Sequence, residues 1–362
     1  MPGGHPPGTG AFPADPTTTQ EEIKEKSMRS LSIKAAVVLA AAAAATGLLA
    51  APALADPPAD HAIAATDIDG VGDNTTQFAL NDLAAAYDAS NPANYVASWD
   101  AVNPVTGLPG DTITVKPGDS SFRPDGSNAG ISAMRTYGFL DFTRSSRGPQ
   151  AGDVDADGNP LLFLPFAEDQ LNYAVATTTN APLNLSISQL KSIYLCQVTT
   201  WNQVGGTSGD TIIPEIPQLN SGTRAFFEQT LGLTDSQIQM APCLKVIEEN
   251  TPSDIAGNPD NIAPFSDAVF TSRYQDSGIE LNTSGFGANY EVYNLVRYDP
   301  KTDGIPDYLQ SFFGDGSGGE VGSSGYICSA AGQAIVQAEG FKPLSTSDFP
   351  NAACGLAEFY LP

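Results

Sequence analysis

The chain has 362 residues and a formal net charge of −25, from 16 Lys and Arg against 41 Asp and Glu, with two histidines. Such a balance leaves no basic surface for tracking phosphodiester backbones or anionic lipid, which excludes nucleic-acid binding and polybasic membrane attachment. Apolar residues make up 41%, and 35 Gly with 28 Pro fall short of low-complexity composition. The chain therefore folds, at a length that suits two lobes, each with its own core.

Residues 1–27, rich in Pro, Gly, Thr and Glu, are expected to be a disordered extension or a mis-assigned start, with Met28 as initiator. Residues 28–55 read as a secretory signal: Arg29 and Lys34 precede the apolar run Ala35 to Ala51, and Ala53-Leu54-Ala55 supplies a small-residue cleavage pattern. No cysteine stands at that point, so the product is expected outside the cell without a lipid anchor, free or held non-covalently at the wall. The four cysteines, Cys196, Cys243, Cys328 and Cys354, all follow the signal and have no CxxC or His-rich company. An even number in an oxidising compartment predicts two disulfides; of three pairings, Cys196–Cys243 and Cys328–Cys354 close the shorter loops and are favoured.

After Ile68, the segment Gly70-Val71-Gly72-Asp73-Asn74-Thr75-Thr76-Gln77 leads into Phe78, Leu80, Leu83, Ala84 and Tyr87, whose near-helical spacing predicts a helix capped at Thr75 or Thr76. The same grammar recurs at Arg123 to Gly130, around Ser127, and at Gln218 to Arg224, which contains Ser221, Gly222 and Thr223. Strand-like runs lie at Thr112 to Val115, Leu161 to Phe166, Tyr173 to Thr177 and Tyr290 to Tyr298, and their alternation with helices predicts an α/β fold. Ser186 with Gln189 forms a capping box ahead of Leu190 and Ile193. Gly314 to Gly325 reads as a surface loop and Ala330 to Ala338 as a closing helix.

Helix N-termini carry unpaired N–H groups and partial positive charge, so three such loops converging would hold an oxyanion without a basic patch. A fourth segment, Asp141-Phe142-Thr143-Arg144-Ser145-Ser146-Arg147-Gly148-Pro149, sets two guanidinium forks among hydroxyls, a pattern that suits carboxylate, sulfate or phosphate oxygens. Asp153-Val154-Asp155-Ala156-Asp157-Gly158 has half of a calcium loop, but position 12 is Leu164, so it reads as an acidic hairpin turn with Asp153, Asp155 and Asp157 as the calcium alternative.

Taken in order, these segments, together with Leu164-Pro165-Phe166-Ala167-Glu168-Asp169 and Thr200-Trp201-Asn202-Gln203-Val204-Gly205-Gly206, resemble the phosphate ABC-transporter substrate-binding proteins in their secreted actinobacterial branch. The resemblance covers most of residues 66–362. It implies a two-lobed periplasmic-binding-protein-like fold of type II, with 66–168 plus 291–362 as one lobe, 169–290 as the other, and crossings near 166–172 and 284–296. It implies phosphate or another oxyanion as ligand, no cofactor, a monomer, and an ABC permease as partner. By position, Asp73, Asn74, Thr75, Thr76, Ser127, Ser221, Gly222 and Thr223 match the family's phosphate loops. Two positions depart from the pattern: Ser146 stands where the family has a proton-accepting Asp, and Pro217 where it has an Arg. Asp73 or Asp125 is the candidate replacement acceptor, and Arg144, Arg147 or Arg224 the candidate guanidinium, with Ser145 beside them.

The residues leave two other classes open. A secreted hydrolase would need a carboxylate pair, since the histidines are His5, upstream of the signal, and His61. A wall-associated structural protein fits the acidity and would show no ligand-induced closure.

Overall fold

The computed structural model describes residues 56–58, 60–318, 325–345 and 347–360. The expected signal and the extension before it lie outside the described residues, as does part of the loop expected at Gly314 to Gly325. Among the described residues no helix is long and apolar enough to cross a membrane.

The strands are β1 (Ile68–Gly72), β2 (Val96–Ser98), β3 (Thr112–Lys116), β4 (Asp119–Phe122), β5 (Phe142–Ser145), β6 (Leu161–Ala176), β7 (Ile213–Pro217), β8 (Lys245–Ile247), β9 (Asn261–Ser266), β10 (Ile279–Leu281) and β11 (Ala288–Arg297). The longer helices are α1 (Gln77–Asp88), α2 (Ser127–Thr136), α3 (Ile187–Tyr194), α4 (Gly222–Leu231), α5 (Asp307–Phe313) and α6 (Ala330–Ala338). The main sheet has the order β2-β1-β5-β11-β6-β9-β7-β8, with β10 paired to β6. β1 is parallel to β2 and β5, and β7 is parallel to β8 and β9. Between these two parallel groups β6 and β11 run antiparallel to each other.

β6 is the spine. Nearly every residue of it is buried, as a strand covered on both faces requires. Leu161 to Leu171 pair with β11, whereas Leu171 to Val175 pair with β9, so one strand serves both groups. Pro165 has no N–H to give the ladder, and it stands beside the register shift between Val292 and Tyr293, where Phe166 is passed over. Residues 166–172 lie on β6, and most of 284–296 lies on β11.

α1 forms where the apolar spacing predicts it and buries Leu80, Leu83, Ala84 and Tyr87, with Tyr87 edge-on to Phe312 of α5. The capping box at Ser186 and Gln189 is present at the start of α3. Ser221 caps α4, accepting a 2.9 Å bond from the Arg224 N–H, and Gly232 ends it at φ 60°.

Three strand expectations change. Thr112 to Val115 is a strand, but it pairs with β4 in a separate hairpin outside the main sheet. Leu161 to Phe166 and Tyr173 to Ala176 belong to one continuous strand, which ends before Thr177. The segment Asp141 to Pro149, read as a loop with two guanidinium forks, holds a strand at Phe142–Ser145, beside β1, where Gly70 is required because a Cβ there would stand 1.9 Å from the Phe142 ring.

Both disulfides form in the favoured pairing, Cys196–Cys243 across 47 residues and Cys328–Cys354 across 26. Loops of these lengths limit the unfolded chain enough that removing either bridge by a Cys→Ser pair should cost about 3 kcal/mol. Urea unfolding of the two variants checks this, and a midpoint unchanged from the parent contradicts it.

Candidate functional site

Two strands from each parallel group end at the site, where α/β sheets leave a crevice beyond their carboxyl ends. Asp73 to Thr76 follow β1 and open α1, and Ser146 follows β5. Ser221 to Thr223 open α4 a few residues after β7, while Glu248 to Asn250 follow β8. Asp125 bridges to Gly72 and leads into Ser127 at the start of α2.

At the centre is the Asp73 carboxylate, fully buried. Its Oδ1 accepts from Ser127 Oγ at 2.8 Å and Ser146 Oγ at 2.7 Å. Its Oδ2 accepts from the backbone N–H and the hydroxyl of Thr76, both at 3.0 Å. Thr76 is thus the residue before α1, but its side chain turns to Asp73 and does not cap the helix. The Ser146 N–H donates to Ser127 Oγ at 3.0 Å. Gly222 closes on this pair so tightly that a Cβ would stand 2.2 Å from both Ser127 Oγ and Ser146 Oγ.

Beside it lies a second cluster. Thr75 Oγ1 donates to Glu249 Oε1 at 3.0 Å and is 3.2 Å from Thr223 Oγ1. The Thr223 N–H donates to the same Glu249 oxygen at 3.3 Å, and Asn250 Nδ2 donates to Thr75 Oγ1 at 3.1 Å. Gln218 joins the remaining acids, donating to Asp125 Oδ1 at 2.8 Å and Glu248 Oε1 at 3.1 Å. Burial raises the Asp125 carboxyl above its ordinary range. Burial and the neighbouring Asp125 push Glu248 up to about 8, while burial and the charge of Asp73 push Glu249 up to about 8.

The structure brings together Asp73, Thr75, Thr76, Ser127, Ser146, Gly222 and Thr223. Asn74 is buried in the same loop, and Ser221 is used as the α4 cap. Ser145 does not join them, since its hydroxyl bonds the Arg147 backbone. The three arginines are committed elsewhere. Arg144, fully buried, donates to the carbonyls of Gly72, Asp73 and Trp99 and to Ser98 Oγ, and burial lowers its pKa to about 10. Arg147 forks onto Asp153 at 2.7 and 2.9 Å and holds Asn128 Oδ1. Arg224 pairs with Glu228 and Asp235 and donates to the Pro217 carbonyl.

Asp153 therefore neutralises an arginine, and Asp155 accepts the N–H groups of Asp157 and Asn159 inside a tight turn. Both carboxylates serve the hairpin reading, and among the described residues no group of three or more His, Cys, Asp or Glu is placed to hold a metal ion. His61 pairs with Asp67 and stacks on Tyr95, away from the hydroxyl cluster's own partners.

Glu249 and Asn250 escape the sequence reading, although a signal is present: Ile247 to Pro252 repeats the pattern of strand end, polar loop and helix start, with Pro252 in the first helical turn. Two clefts border the clusters. One of about 640 Å³ reaches Ser146 and is lined by Arg147, Phe226, Tyr290 and Tyr293. Another of about 600 Å³ reaches Asp125, Gln218 and Asn220.

Two parallel groups of strands bound by a shared antiparallel pair, with polar helix starts meeting beyond the strand ends, define a substrate-binding fold. Residues 57–303 match the model of the PBP superfamily domain, and the chain belongs to that superfamily. Its two-lobed architecture is type II. A phosphate-bound Clostridium perfringens structure, assigned to the phosphate ABC transporter substrate-binding proteins, superposes with a TM-score of 0.56 at 18% identity over 77% of this chain and 100% of that one. An ABC-type phosphate transport receptor from Vibrio cholerae superposes with a TM-score of 0.54 at 21% identity, again over 77% and 100%. At these identities the likeness concerns the fold. Comparison with curated protein sequences gives no match.

Asp73→Ala would leave three buried hydroxyls and an N–H without their acceptor, at a cost of about 3 kcal/mol or more. Asp73→Asn should lose less, because an amide oxygen still accepts from the serines; equal unfolding midpoints for Asp73→Ala and the parent in urea would contradict the assignment. Glu248 and Glu249 also bear on stability. A carboxyl whose pKa is higher folded than unfolded stabilises the fold below its ordinary value, and that contribution is lost as pH rises through about 8. The melting temperature should accordingly fall between pH 6 and pH 9, and the double variant Glu248→Gln, Glu249→Gln should flatten the fall.

Proposed function

We propose that this chain is an extracellular solute-binding protein that captures an inorganic oxyanion, phosphate foremost, and performs no covalent chemistry. The observation that carries the reading is the convergence of Thr75, Thr76, Ser127, Ser146, Gly222 and Thr223, drawn from four chain segments, where hydroxyls and helix N-termini already hold carboxylate oxygens. Donors that satisfy an internal carboxylate have the geometry to satisfy an external oxyanion. The superfamily is a binding family, and phosphate-associated proteins share the fold, which supports the same reading.

In this proposal Asp73, 2.7 Å from the Ser146 hydroxyl, is the carboxyl that stands beside the place of the acid absent at Ser146, and it orders the loop donors for the anion. Arg144 acts from beneath, through the backbone of Gly72 and Asp73, and Arg147 and Arg224 brace the loops without touching the anion. The lobes are 66–168 with 291–362 and 169–290, and they open at the Thr75–Thr223 and Asp125–Gln218 contacts to admit the ligand. Delivery to an ABC permease, or scavenging at the wall, follows release from the cell as a monomer.

Thermal melting of the protein in millimolar phosphate, arsenate or sulfate tests the reading. At about 100 times its Kd a bound anion adds about 2.7 kcal/mol of stability. The double variant Ser221→Ala, Thr223→Ala should abolish that gain while losing about 1 kcal/mol through the missing α4 cap. A melting temperature unmoved by all three anions would end the oxyanion assignment.

A further inference from the structure

Glu249 is 1% exposed, and its two oxygens are treated unequally. Asn250 fixes the pattern: its Oδ1 accepts from the Ser266 N–H at 3.1 Å, so its Nδ2 donates to Thr75 Oγ1. The single Thr75 proton then goes to Glu249 Oε1, which also accepts the Thr223 N–H. Oε1 is thus an acceptor twice over, while Oε2 is buried with no partner among the described residues. The charged and titratable groups facing this carboxyl are Asp73 from the first loop, Asp125 from the second, Glu248 beside it in sequence and Tyr290 from β11. Among the described residues no lysine or arginine is bonded to it.

An ionised Glu249 would leave half a negative charge on Oε2, buried, undonated to and surrounded by acids. A neutral one places its O–H there, as a buried donor that lacks an acceptor. We propose that Glu249 determines the specificity of this site as a neutral carboxylic acid, whose Oε2–H donates to an unprotonated oxygen of the incoming oxyanion. The proposal rests on the oxyanion reading above and deepens it. Asp73 has both oxygens taken up by four donors; Glu249, with an unused donor, is the group that meets the ligand. The substrate class is a tetrahedral oxyanion that presents a bare oxygen to this edge, such as sulfate or ionised phosphate, taken up with the Glu249 proton kept in the site. The raised pKa agrees with that geometry.

The experiment is calorimetric titration of the protein and of Glu249→Gln with sodium sulfate and with sodium phosphate from pH 6.5 to 9.5. Sulfate keeps one protonation state throughout, so its pH dependence reports the protein; for phosphate, the difference between the two proteins cancels the ligand's own titration. Expected is an affinity that falls about tenfold per pH unit above pH 8 in the parent. Glu249→Gln, whose amide keeps a donor, should lose that fall and bind more tightly than the parent at pH 9.5. Parallel pH profiles for the two proteins overturn the proposal. Should the variant not fold, parallel titrations of the parent in two buffers of different ionisation enthalpy at pH 9 decide the matter: uptake approaching one proton per anion supports it, and none overturns it. Absence of binding by the parent to either anion at every pH overturns the oxyanion reading and this proposal together, whereas binding without pH dependence or proton uptake overturns this proposal alone.

Discussion

A fully buried carboxylate in a molecule of net charge −25 is the constraint around which the rest is arranged. Taking Asp73 out of water costs several kcal/mol unless its oxygens are fully satisfied. The four donors that satisfy it come from three segments: the start of α1, the start of α2 and the end of β5. Each must therefore be in register before the carboxylate is stable, and the strand order β1-β5 with α1 and α2 at their ends achieves that. Arg144 completes the arrangement by tying the backbone of Gly72 and Asp73 to Ser98 and Trp99. Buried cation and buried anion face opposite sides of one peptide segment.

That placement explains why the arginines are absent from the cluster. Guanidinium groups in so acidic a chain find acids close by: Arg147 has Asp153 six residues on, and Arg224 has Glu228 one helical turn on. Their donors rigidify the loops, with Arg147 linking the β5 loop to Asn128 of α2 and Arg224 reaching back to the Pro217 carbonyl. The polar centre is left with hydroxyls and N–H groups, whose fixed dipoles require no counter-charge of their own. A surface field that repels anions is then compatible with an anion-holding interior, because the interior interactions are short and desolvated and the surface field is screened by salt.

The sequence made α1, the capped start of α3 and both disulfides legible because each depends on local spacing or on a closed count of residues. It divided β6 at Glu168-Asp169-Gln170, since charged residues argue against a buried strand. In the structure Asp169 is buried by accepting from Ser266, Tyr290, Ala268 and Gln170, partners that lie far off in the chain apart from the last. β1 was obscured by Asp69, Gly70 and Gly72; Gly70 is needed because the Phe142 ring fills the space of its side chain, and Gly72 because Thr143 does so at a φ of 102°. At the site, residue types pointed to loops that the structure brings together. Which arginines were free, and which of 41 acids stood beside the hydroxyls, depended on tertiary pairing that spacing does not encode. Ser145 shows the limit at its smallest, adjacent to Ser146 yet turned to its own loop.

The two helix starts at the centre differ in how firmly each is occupied. The N–H at the start of α1 is held by Asp73, and exchanging that acceptor would unsatisfy three segments at once. The N–H at the start of α4 is held by Glu249, through one oxygen shared with Thr75. Thr75 and Thr223 belong to segments on opposite sides of the β6 and β11 pair, so contact at Glu249 joins the two strand groups, whereas contact at Asp73 lies mostly within one. Separation of the groups therefore strains the Glu249 bonds first and leaves the Asp73 network with its four donors. The two acceptors are thus unequal: one carboxyl held by four donors organises one half, and another held through a single oxygen sits at the seam.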